Sequence, residues 1–216
     1  MKNIIIFGGK GNGTVLLNTL IDINKSEKKY NIIGFVNNQW KSIQTIEGFP
    51  VLGDIEHLDE LIQKYNASFI NCISSVNTMN IVEELFDDKY TKIQKRLISI
   101  IHPTANIGQN VKIGKGCFIG PQTYIGQNSN ISDHCFIHAQ CYIARDSCLG
   151  KYNYLAPKVY IGAEVETQNS VYFGVGSLIK ERLKIGKQAI IGMGAIIVNN
   201  INSKDKYFGE KAIKRN

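Results

Sequence analysis

A large apolar residue recurs at every sixth position through the second half of this chain. The series runs without a frame slip from Ile101 to Ile197, seventeen positions in all, and only Thr167 is not large and apolar. A second series of mostly small residues stands four positions after each of these. A period of six fits neither an amphipathic helix nor a single alternating strand, and it is typical of the hexapeptide repeat of a parallel β-helix. Three hexads then form one triangular coil, so that residues eighteen apart stack directly.

The first hundred residues lack this period and alternate between short apolar runs and segments with helical spacing. Such alternation predicts strands and helices in turn, and it indicates a small parallel α/β unit. We therefore expect an α/β domain over residues 1–100 and a β-helix domain with a C-terminal tail over residues 101–216. The predicted strands span 3–8, 30–38 and 67–73, and the predicted helices span 14–25, 54–66 and 76–88, with Asp54 as a helix N-cap.

The composition narrows the possible partners. A net charge of +7 suits a polyanion, but the lysines are scattered, so phosphorylated small molecules fit at least as well as nucleic acid, which we do not expect as a partner. No apolar run reaches the roughly 18–20 residues that cross a bilayer, and the N-terminus is not a signal peptide pattern, so we expect a cytoplasmic protein without a membrane partner.

The five cysteines show no metal-ligand spacing, and we expect no metal. Cys117, Cys135 and Cys141 fall in the small-residue series, which predicts reduced side chains in the core. Cys148 stands one position later, and we expect it to be partly exposed.

A glycine-rich loop, "GGKGNG", joins the first predicted strand to the first predicted helix. Small residues let the backbone approach an anion there, and free N–H groups at a helix N-terminus face it. The spacing does not satisfy GxGxxG, and the second strand ends in two asparagines where an NAD ribose requires an acid. A nucleotide-sugar phosphate site is favoured, a structural turn remains open, and NAD is the least favoured ligand. The expected substrate-binding residues are Gly9, Lys10, Gly11, Asn12, Gly13, Asn37, Asn38, Ser74 and Ser75.

The chain resembles the NeuD/PglD-type sugar acyltransferases over essentially its whole length. The resemblance is carried by "IIIFGGKGNG", "GFVNN", "IHPTANIG", the hexads and "GMGAIIVNNI". It implies a small Rossmann-like N-terminal domain followed by a left-handed parallel β-helix, and a homotrimer with the acyl-CoA site in the groove between neighbouring β-helices. It also implies acyl transfer from acyl-CoA, with acetyl-CoA the expected donor, to sialic acids or to nucleotide-linked amino sugars.

The sequence departs from the family pattern at positions that bear on the chemistry. The histidine of the usual "GGHG" loop is Asn12 here, and the two acids common after the second strand are asparagines. The usual catalytic histidine falls at Arg145, which is followed by Asp146. One hexad earlier, where relatives often carry asparagine, stands His138. The C-terminal "GxPAK" is replaced by "GEKAIK".

The absence of the usual histidine narrows the expected acceptor. A sugar hydroxyl must lose its proton as it attacks, whereas an amine with a pKa near the α-amino range of about 7.7–8 is already partly neutral. The missing histidine therefore favours an amine acceptor, and the resemblance then implies N-acyl transfer to a UDP- or dTDP-linked 4-amino-4,6-dideoxyhexose for surface polysaccharide such as lipopolysaccharide O-antigen or capsule. The alternatives are O-acetylation of a sialic-acid-type sugar and an inactive relative kept as a scaffold.

Two mechanisms remain open at this stage. His138 acts as the base from an outward-facing slot that flanks the same corner as Arg145, or no side chain acts as base and the CoA thiolate or water takes the proton. Arg145 cannot be a base; we expect it to pair with Asp146, to hold a sugar or phosphate oxygen, or to lie in solvent. His134 is expected to be exposed, and His102 is expected to help dock the two domains.

The later coils are expected to supply the acetyl-CoA site, through backbone close to the groove and through lysines near the CoA phosphates. The expected residues are Ala163, Gly174, Val175, Gly192, Gly194, Lys180 and Lys187.

Overall fold

An α/β domain precedes a left-handed parallel β-helix, which confirms the predicted fold class. The computed structural model describes residues 1–39, 41–74, 78–86 and 93–209. The helices of the first domain are α1 (Asn12–Glu27), α2 (Leu58–Tyr65) and α3 (Met79–Glu84), with 3₁₀ turns at Ile55–His57 and Ile93–Arg96. Its strands are β1 (Lys2–Phe7), β2 (Tyr30–Val36), β3 (Thr45–Ile46), β4 (Phe49–Gly53) and β5 (Ser68–Asn71), in the order β3-β4-β2-β1-β5.

The central strand β1 is an apolar run, and it pairs in parallel with β2 on one side and β5 on the other. Apolar residues of α1 pack on one face of this sheet, and those of α2 pack on the other. Asp54 accepts a hydrogen bond from the backbone N–H of Glu56, so the predicted cap is confirmed, although it begins a 3₁₀ turn that leads into α2. The helix predicted over 76–88 is observed at Met79–Glu84, and residues 75–77 and 87–92 lie outside the described chain.

The hairpin of β3 and β4 was not predicted. Its two turn residues, Glu47 and Gly48, both have positive φ (48° and 81°), which is the geometry of a tight hairpin turn.

The β-helix has three faces, each a parallel sheet whose neighbouring strands lie eighteen residues apart. The covered face, against which the first domain packs, contains β6 (Ile100–Ile101), β9 (Phe118–Ile119), β12 (Phe136–Ile137), β15 (Tyr154–Leu155), β18 (Tyr172–Phe173), β21 (Ile190–Ile191) and β23 (Lys206–Tyr207). The tyrosine face contains β7 (Asn106–Ile107), β10 (Tyr124–Ile125), β13 (Tyr142–Ile143), β16 (Tyr160–Ile161), β19 (Leu178–Ile179) and β22 (Ile196–Ile197). The polar face contains β8 (Lys112–Ile113), β11 (Asn130–Ile131), β14 (Cys148–Leu149), β17 (Glu166–Thr167) and β20 (Lys184–Ile185).

The apolar series with a period of six fills the interior of the prism from Ile119 to Ile197, as predicted, whereas Ile107 and Ile113 are partly buried and Ile101 is 38% exposed. Its one polar member, Thr167, is buried, and its hydroxyl oxygen accepts a hydrogen bond from the amide of Asn153. The amide oxygen of Asn153 accepts from the backbone N–H of Val171 at 2.7 Å, so this buried polar pair is satisfied. The cysteines of the small-residue series are free and buried, and Cys148 is exposed on the polar face.

Two hydrophobic clusters contain residues of both domains, and the one that includes α1 lies beside the glycine-rich loop. The outward-facing Phe118 and Phe136 of the covered face are almost fully buried, and they join a cluster that includes Leu16 and Leu20 of α1. This packing places the β1–α1 loop beside one edge of the β-helix. Within the described residues, no helix is long and apolar enough to span a bilayer.

Candidate active site at the domain junction

The glycine-rich loop adopts a conformation that only glycine tolerates at two positions. Gly8 has φ +148°, and a Cβ there would lie 2.2 Å from the sulfur of Cys72. Gly11 has φ +86°, precedes α1, and faces open space. Among the described residues, no side chain caps the N-terminus of α1, and its first turn contains no acid, so the free N–H groups of that turn can receive an anion.

Asn12 connects this loop to two other elements. Its amide nitrogen donates to the carbonyl oxygen of Ser74, after β5, at 2.9 Å. Its amide oxygen lies 3.2 Å from Nε2 of His138 on the β-helix. The loop that follows β1, the segment that follows β5 and the β-helix therefore meet at this side chain.

The other residues predicted to bind substrate are placed unevenly. Asn37 donates to the carbonyl oxygen of Gly8 at 3.1 Å and thereby braces the loop. Asn38 is exposed and accepts from the backbone N–H of Ile55 at 3.4 Å, at the start of the 3₁₀ turn. Lys10 is exposed at the tip of the loop. The structure therefore brings Gly9, Gly11, Asn12, Gly13, Asn37 and Ser74 around one loop, and Ser75 lies outside the described residues.

The environment of His138 differs from the open slot that the hexad position predicted. The side chain points away from the prism interior, but the first domain covers it and leaves the residue only 8% exposed. Its Nε2 atom lies 2.8 Å from the hydroxyl of Tyr154 and within reach of Asn12. Burial lowers the pKa of His138 to about 4 and raises the pKa of Tyr154 to about 12, so both side chains are neutral near pH 7.

The expectation that His138 and Arg145 flank one corner is wrong. His138 follows β12 on the covered face, whereas Arg145 follows β13 on the tyrosine face, so the two residues lie at opposite ends of the tyrosine face. A guanidinium nitrogen of Arg145 lies 3.3 Å from a carboxylate oxygen of Glu164, and another pairs with Asp146. Of the roles considered for Arg145, the structure shows the ion pairs.

Asp146 is held in its ionised form. The amide of Asn128 donates to it at 3.0 Å, and this hydrogen bond, together with the one from Arg145, lowers the pKa of the carboxyl group below its usual value. The corner after β13 therefore carries a local network of charges that balance each other.

The residues predicted to bind acetyl-CoA divide among the three corners of the prism. Gly174, Val175, Gly192 and Gly194 lie at the first corner, between the covered and tyrosine faces, which also carries His138. Ala163 and Lys180 lie at the second corner, between the tyrosine and polar faces, which also carries Arg145. One chain alone does not bring these two groups together.

Lys187 requires a correction. It lies at the third corner, between the polar and covered faces, and its ammonium group is 2.9 Å from a carboxylate oxygen of Glu83 in α3. The same carboxylate accepts from the hydroxyl of Ser170 at 2.8 Å. Hydrogen bonds from Lys187 and Ser170 lower the pKa of Glu83 against the effect of its partial burial. Lys187 therefore links the two domains and does not extend toward the groove proposed for CoA.

Two other histidines also contact the first domain. His134 was expected to be exposed, but it is buried and its ring lies 5.0 Å from that of Phe86 and 4.7 Å from that of Tyr152. His102 lies with Nε2 3.5 Å from a carboxylate oxygen of Asp22 in α1, a contact between the domains of the kind that was expected.

Tyr154 and Glu83 were not identified from the sequence. Tyr154 stands eighteen residues after Phe136, and the stacking of the coils could have placed it beside His138 on the covered face. No comparable signal marks Glu83, because its partners Ser170 and Lys187 belong to another domain.

The tyrosine face carries an exposed apolar ladder. The rings of Tyr124, Tyr142 and Tyr160 stack with centroids 4.9 Å apart. Leu178 and Ile196 continue the ladder, and they are 43% and 68% exposed. Contiguous exposed apolar patches are typical of interaction surfaces in proteins.

The fold combines two parts: a Rossmann-like domain that carries a glycine-rich loop, and a left-handed hexapeptide β-helix on which this domain packs. Residues 3–78 match the family model described as the PglD N-terminal domain. Over these residues the predicted resemblance to the NeuD/PglD-type proteins is confirmed. No curated protein matches the chain significantly.

Solved structures of similar fold cover almost the whole chain. PerB from Caulobacter crescentus, in complex with CoA and GDP-perosamine, is 22% identical, with a TM-score of 0.83 over 97% of this chain and 95% of PerB. The acetyltransferase domain of PglB from Neisseria gonorrhoeae is 17% identical, with a TM-score of 0.83 over 97% of each chain. WeeI from Acinetobacter baumannii is 22% identical, with a TM-score of 0.81 over 97% of each chain. At these identities the similarity establishes the fold.

Proposed function

We propose that the protein transfers an acetyl group from acetyl-CoA to the amine of a nucleotide-linked 4-amino-4,6-dideoxyhexose, with UDP or dTDP as the nucleotide. We place the reaction in the cytoplasm and its product in the assembly of a surface polysaccharide such as O-antigen or capsule. The fold similarity to PerB, whose structure holds CoA and GDP-perosamine, supports the class of donor and acceptor.

The observation that carries the proposal is the position of the glycine-rich loop. The uncapped N-terminus of α1 offers N–H groups to a pyrophosphate, and the contact from Asn12 to His138 holds this end of the helix 3.2 Å from the β-helix. A nucleotide bound at the loop would extend its sugar along the first corner of the prism.

The reaction requires no side-chain base. The neutral amine attacks the thioester carbonyl, backbone N–H groups stabilise the oxyanion, and the C–S bond breaks as CoA leaves as a thiolate. The ammonium group that forms then gives its proton to the thiolate or to water. Arg145 is permanently charged and paired, so it cannot take this proton.

We place the acetyl-CoA site between neighbouring subunits of a homotrimer. In this arrangement the tyrosine faces form the subunit contacts, and the first corner of one subunit lies near the second corner of its neighbour. Gly174 and Gly192 of one chain would then face Ala163 and Lys180 of another, which joins residues that a single chain keeps apart.

The acceptor class is tested with the full chain, acetyl-CoA and matched sugars, with release of CoA thiol as the readout. We expect turnover with UDP- or dTDP-linked 4-amino-4,6-dideoxyhexoses and none with the corresponding 4-hydroxy sugars or sialic acid. Turnover with sialic acid alone would favour O-acetylation. Absence of turnover with every acceptor, in a protein that still binds a nucleoside diphosphate, would favour the inactive scaffold.

The trimer is tested by placing a charge on the tyrosine face. Leu178→Asp is expected to reduce the particle to a single 24.1 kDa chain in light scattering, and to abolish turnover, because it buries a carboxylate in an apolar contact. The matched control is Lys184→Asp, one hexad later on the polar face, which should remain trimeric. A wild-type chain that is monomeric at all concentrations would contradict the shared site.

A further inference from the structure

The position directly after each covered-face strand forms a vertical column at the first corner of the β-helix. Its members are His102, Gly120, His138, Ala156, Gly174, Gly192 and Phe208. Among the described residues, the large side chains in this column are Phe208 and the two histidines, and the histidines lie two coils apart. Both extend to the same helix of the other domain: His138 reaches Asn12 in the first turn of α1, and His102 reaches Asp22 in its third turn.

The hydrogen bonds around Asn12 favour one of the two neutral tautomers of His138. A carbonyl oxygen can only accept, so the bond from Asn12 to the carbonyl of Ser74 directs the amide nitrogen toward Ser74. The amide oxygen therefore faces His138 at 3.2 Å from Nε2, and a hydrogen bond between these two atoms places the proton on that nitrogen. The hydroxyl of Tyr154, 2.8 Å from the same nitrogen, must then accept, and its own proton is directed elsewhere.

The same reasoning applies to His102. The backbone N–H of Thr104 donates to its Nδ1 atom at 3.1 Å, so Nδ1 carries a lone pair. The proton of a neutral ring then resides on Nε2, which faces Asp22. Each histidine thus presents an Nε2–H donor to α1.

We propose that His138 is a positioning residue, which holds the N-terminus of α1 and its glycine-rich loop at a fixed place on the β-helix through an Nε2–H bond to Asn12, with His102 as a second contact on the same helix. Because Nε2 is occupied as a donor, this nitrogen cannot take up the proton of the acceptor. This inference deepens the proposed function and, for its kinetic test, rests on it.

The glycine-rich loop is held in place through the two side-chain contacts of Asn12. The first turn of α1 must direct its N–H groups at the phosphates, and Gly11 allows the backbone to turn there but does not hold it. Asn12 supplies the missing restraint, because its side chain is fixed at one end by Ser74 and at the other by His138. Loss of the histidine donor should therefore weaken nucleotide binding before it affects the chemical step.

The test compares two substitutions of His138 in the full chain. His138→Gln keeps an N–H donor near the position of Nε2 but cannot take up a proton at neutral pH, whereas His138→Leu removes both properties. We expect the glutamine variant to retain kcat and KM within about threefold. We expect the leucine variant to raise KM for the nucleotide sugar by about 3–10-fold, the effect of one hydrogen bond, with kcat changed less.

A base role predicts another result. In that case kcat falls by about 10²–10⁴-fold in both variants, and the inference is overturned. The matched control is His134→Asn, which changes an equally buried histidine that faces the first domain but does not touch the loop; its φ of +60° suits asparagine. We expect this control to leave KM unchanged.

A reciprocal exchange protects the test against misfolding of a single variant. Asn12→His combined with His138→Asn keeps an imidazole and an amide in contact and should restore the KM that either change alone raises. If the double variant is no better than the worse single variant, a specific contact between these side chains is excluded.

Two further measurements decide the inference even if no acyl transfer is found. Long-range ¹H–¹⁵N NMR of ¹⁵N-histidine protein should show His138 as the Nε2–H tautomer, and Asn12→Ala should change its ring nitrogen shifts. Calorimetry with UDP, dTDP and GDP should show weaker binding in His138→Leu than in His138→Gln. An Nδ1–H tautomer in the wild type, or equal binding by the two variants, would overturn the proposal without bearing on the enzyme class.

Discussion

Replacing Phe136 with alanine is expected to lower the free energy of unfolding by about 3–5 kcal/mol. Its ring is 2% exposed and lies between Phe118, at a centroid distance of 4.5 Å, and His138, at 5.0 Å. Truncation leaves a cavity in the hydrophobic cluster that joins α1 to the covered face. Among the described residues, no other cluster contains residues of both. Loss of this packing should also move the glycine-rich loop away from the first corner, so that KM for the nucleotide sugar rises.

The measurement is urea unfolding followed by circular dichroism, with KM determined in the same preparation. Asn130→Ala is the matched control, because it changes the equivalent outward position one hexad earlier, on the exposed polar face. It should shift stability by no more than about 0.5 kcal/mol. A loss below about 1 kcal/mol for Phe136→Ala would mean that the two domains do not pack as described.

Acyl transfer is expected to fall about tenfold for each pH unit below roughly 7.5, because only the neutral amine attacks and its pKa lies near the α-amino range of about 7.7–8. kcat/KM at pH 6 should then be roughly 50–100-fold below its plateau at pH 9. His138 adds no second step in this range: burial lowers its pKa to about 4, so protonation begins only well below pH 6.

The profile is measured as kcat/KM from pH 6 to 9 for the wild type and for His138→Gln. The two curves should be parallel, since the titrating group belongs to the acceptor. An additional step near pH 6.5 that disappears in the glutamine variant would instead identify His138 as the base, with an ordinary histidine pKa. A profile that does not change with pH would argue against an amine acceptor.

The β-helix could be predicted from the sequence because its stabilising contacts are periodic. Each interior position sees the same environment in every coil, so one short motif repeated in phase determines the architecture, including the burial of Thr167. The order of strands and helices in the first domain could also be predicted, since β1 is a short continuous apolar run and α1 has apolar residues at helical spacing. The hairpin was missed because its strand β3 contains only two residues and lacks a period of its own.

The candidate site was harder to predict. The hexad pattern indicates which residues lie inside the prism, but it carries no information on which outward-facing residues the first domain covers. Nothing in the period distinguishes the buried His134 and His138 from exposed residues at similar positions. The partners of Lys187 lie in the first domain, so its ion pair could not be read from the repeat. The relative position of His138 and Arg145, however, could have been deduced from the sequence. Every hexad ends at a corner of the prism, so two residues that are seven positions apart lie at successive corners.

The column at the first corner has a consequence for how proteins of this build can vary. Neighbouring coils are separated by about 4.8 Å. Gly174 and Gly192 therefore lie two and three coil heights from His138 and from the glycine-rich loop beside it. Insertion or deletion of one eighteen-residue coil between them would keep every hexad in phase and change that separation by one coil height. The distance between the proposed nucleotide site and the proposed acetyl-CoA site can therefore change only in steps of one coil height. A substrate of intermediate length must be accommodated by the loops.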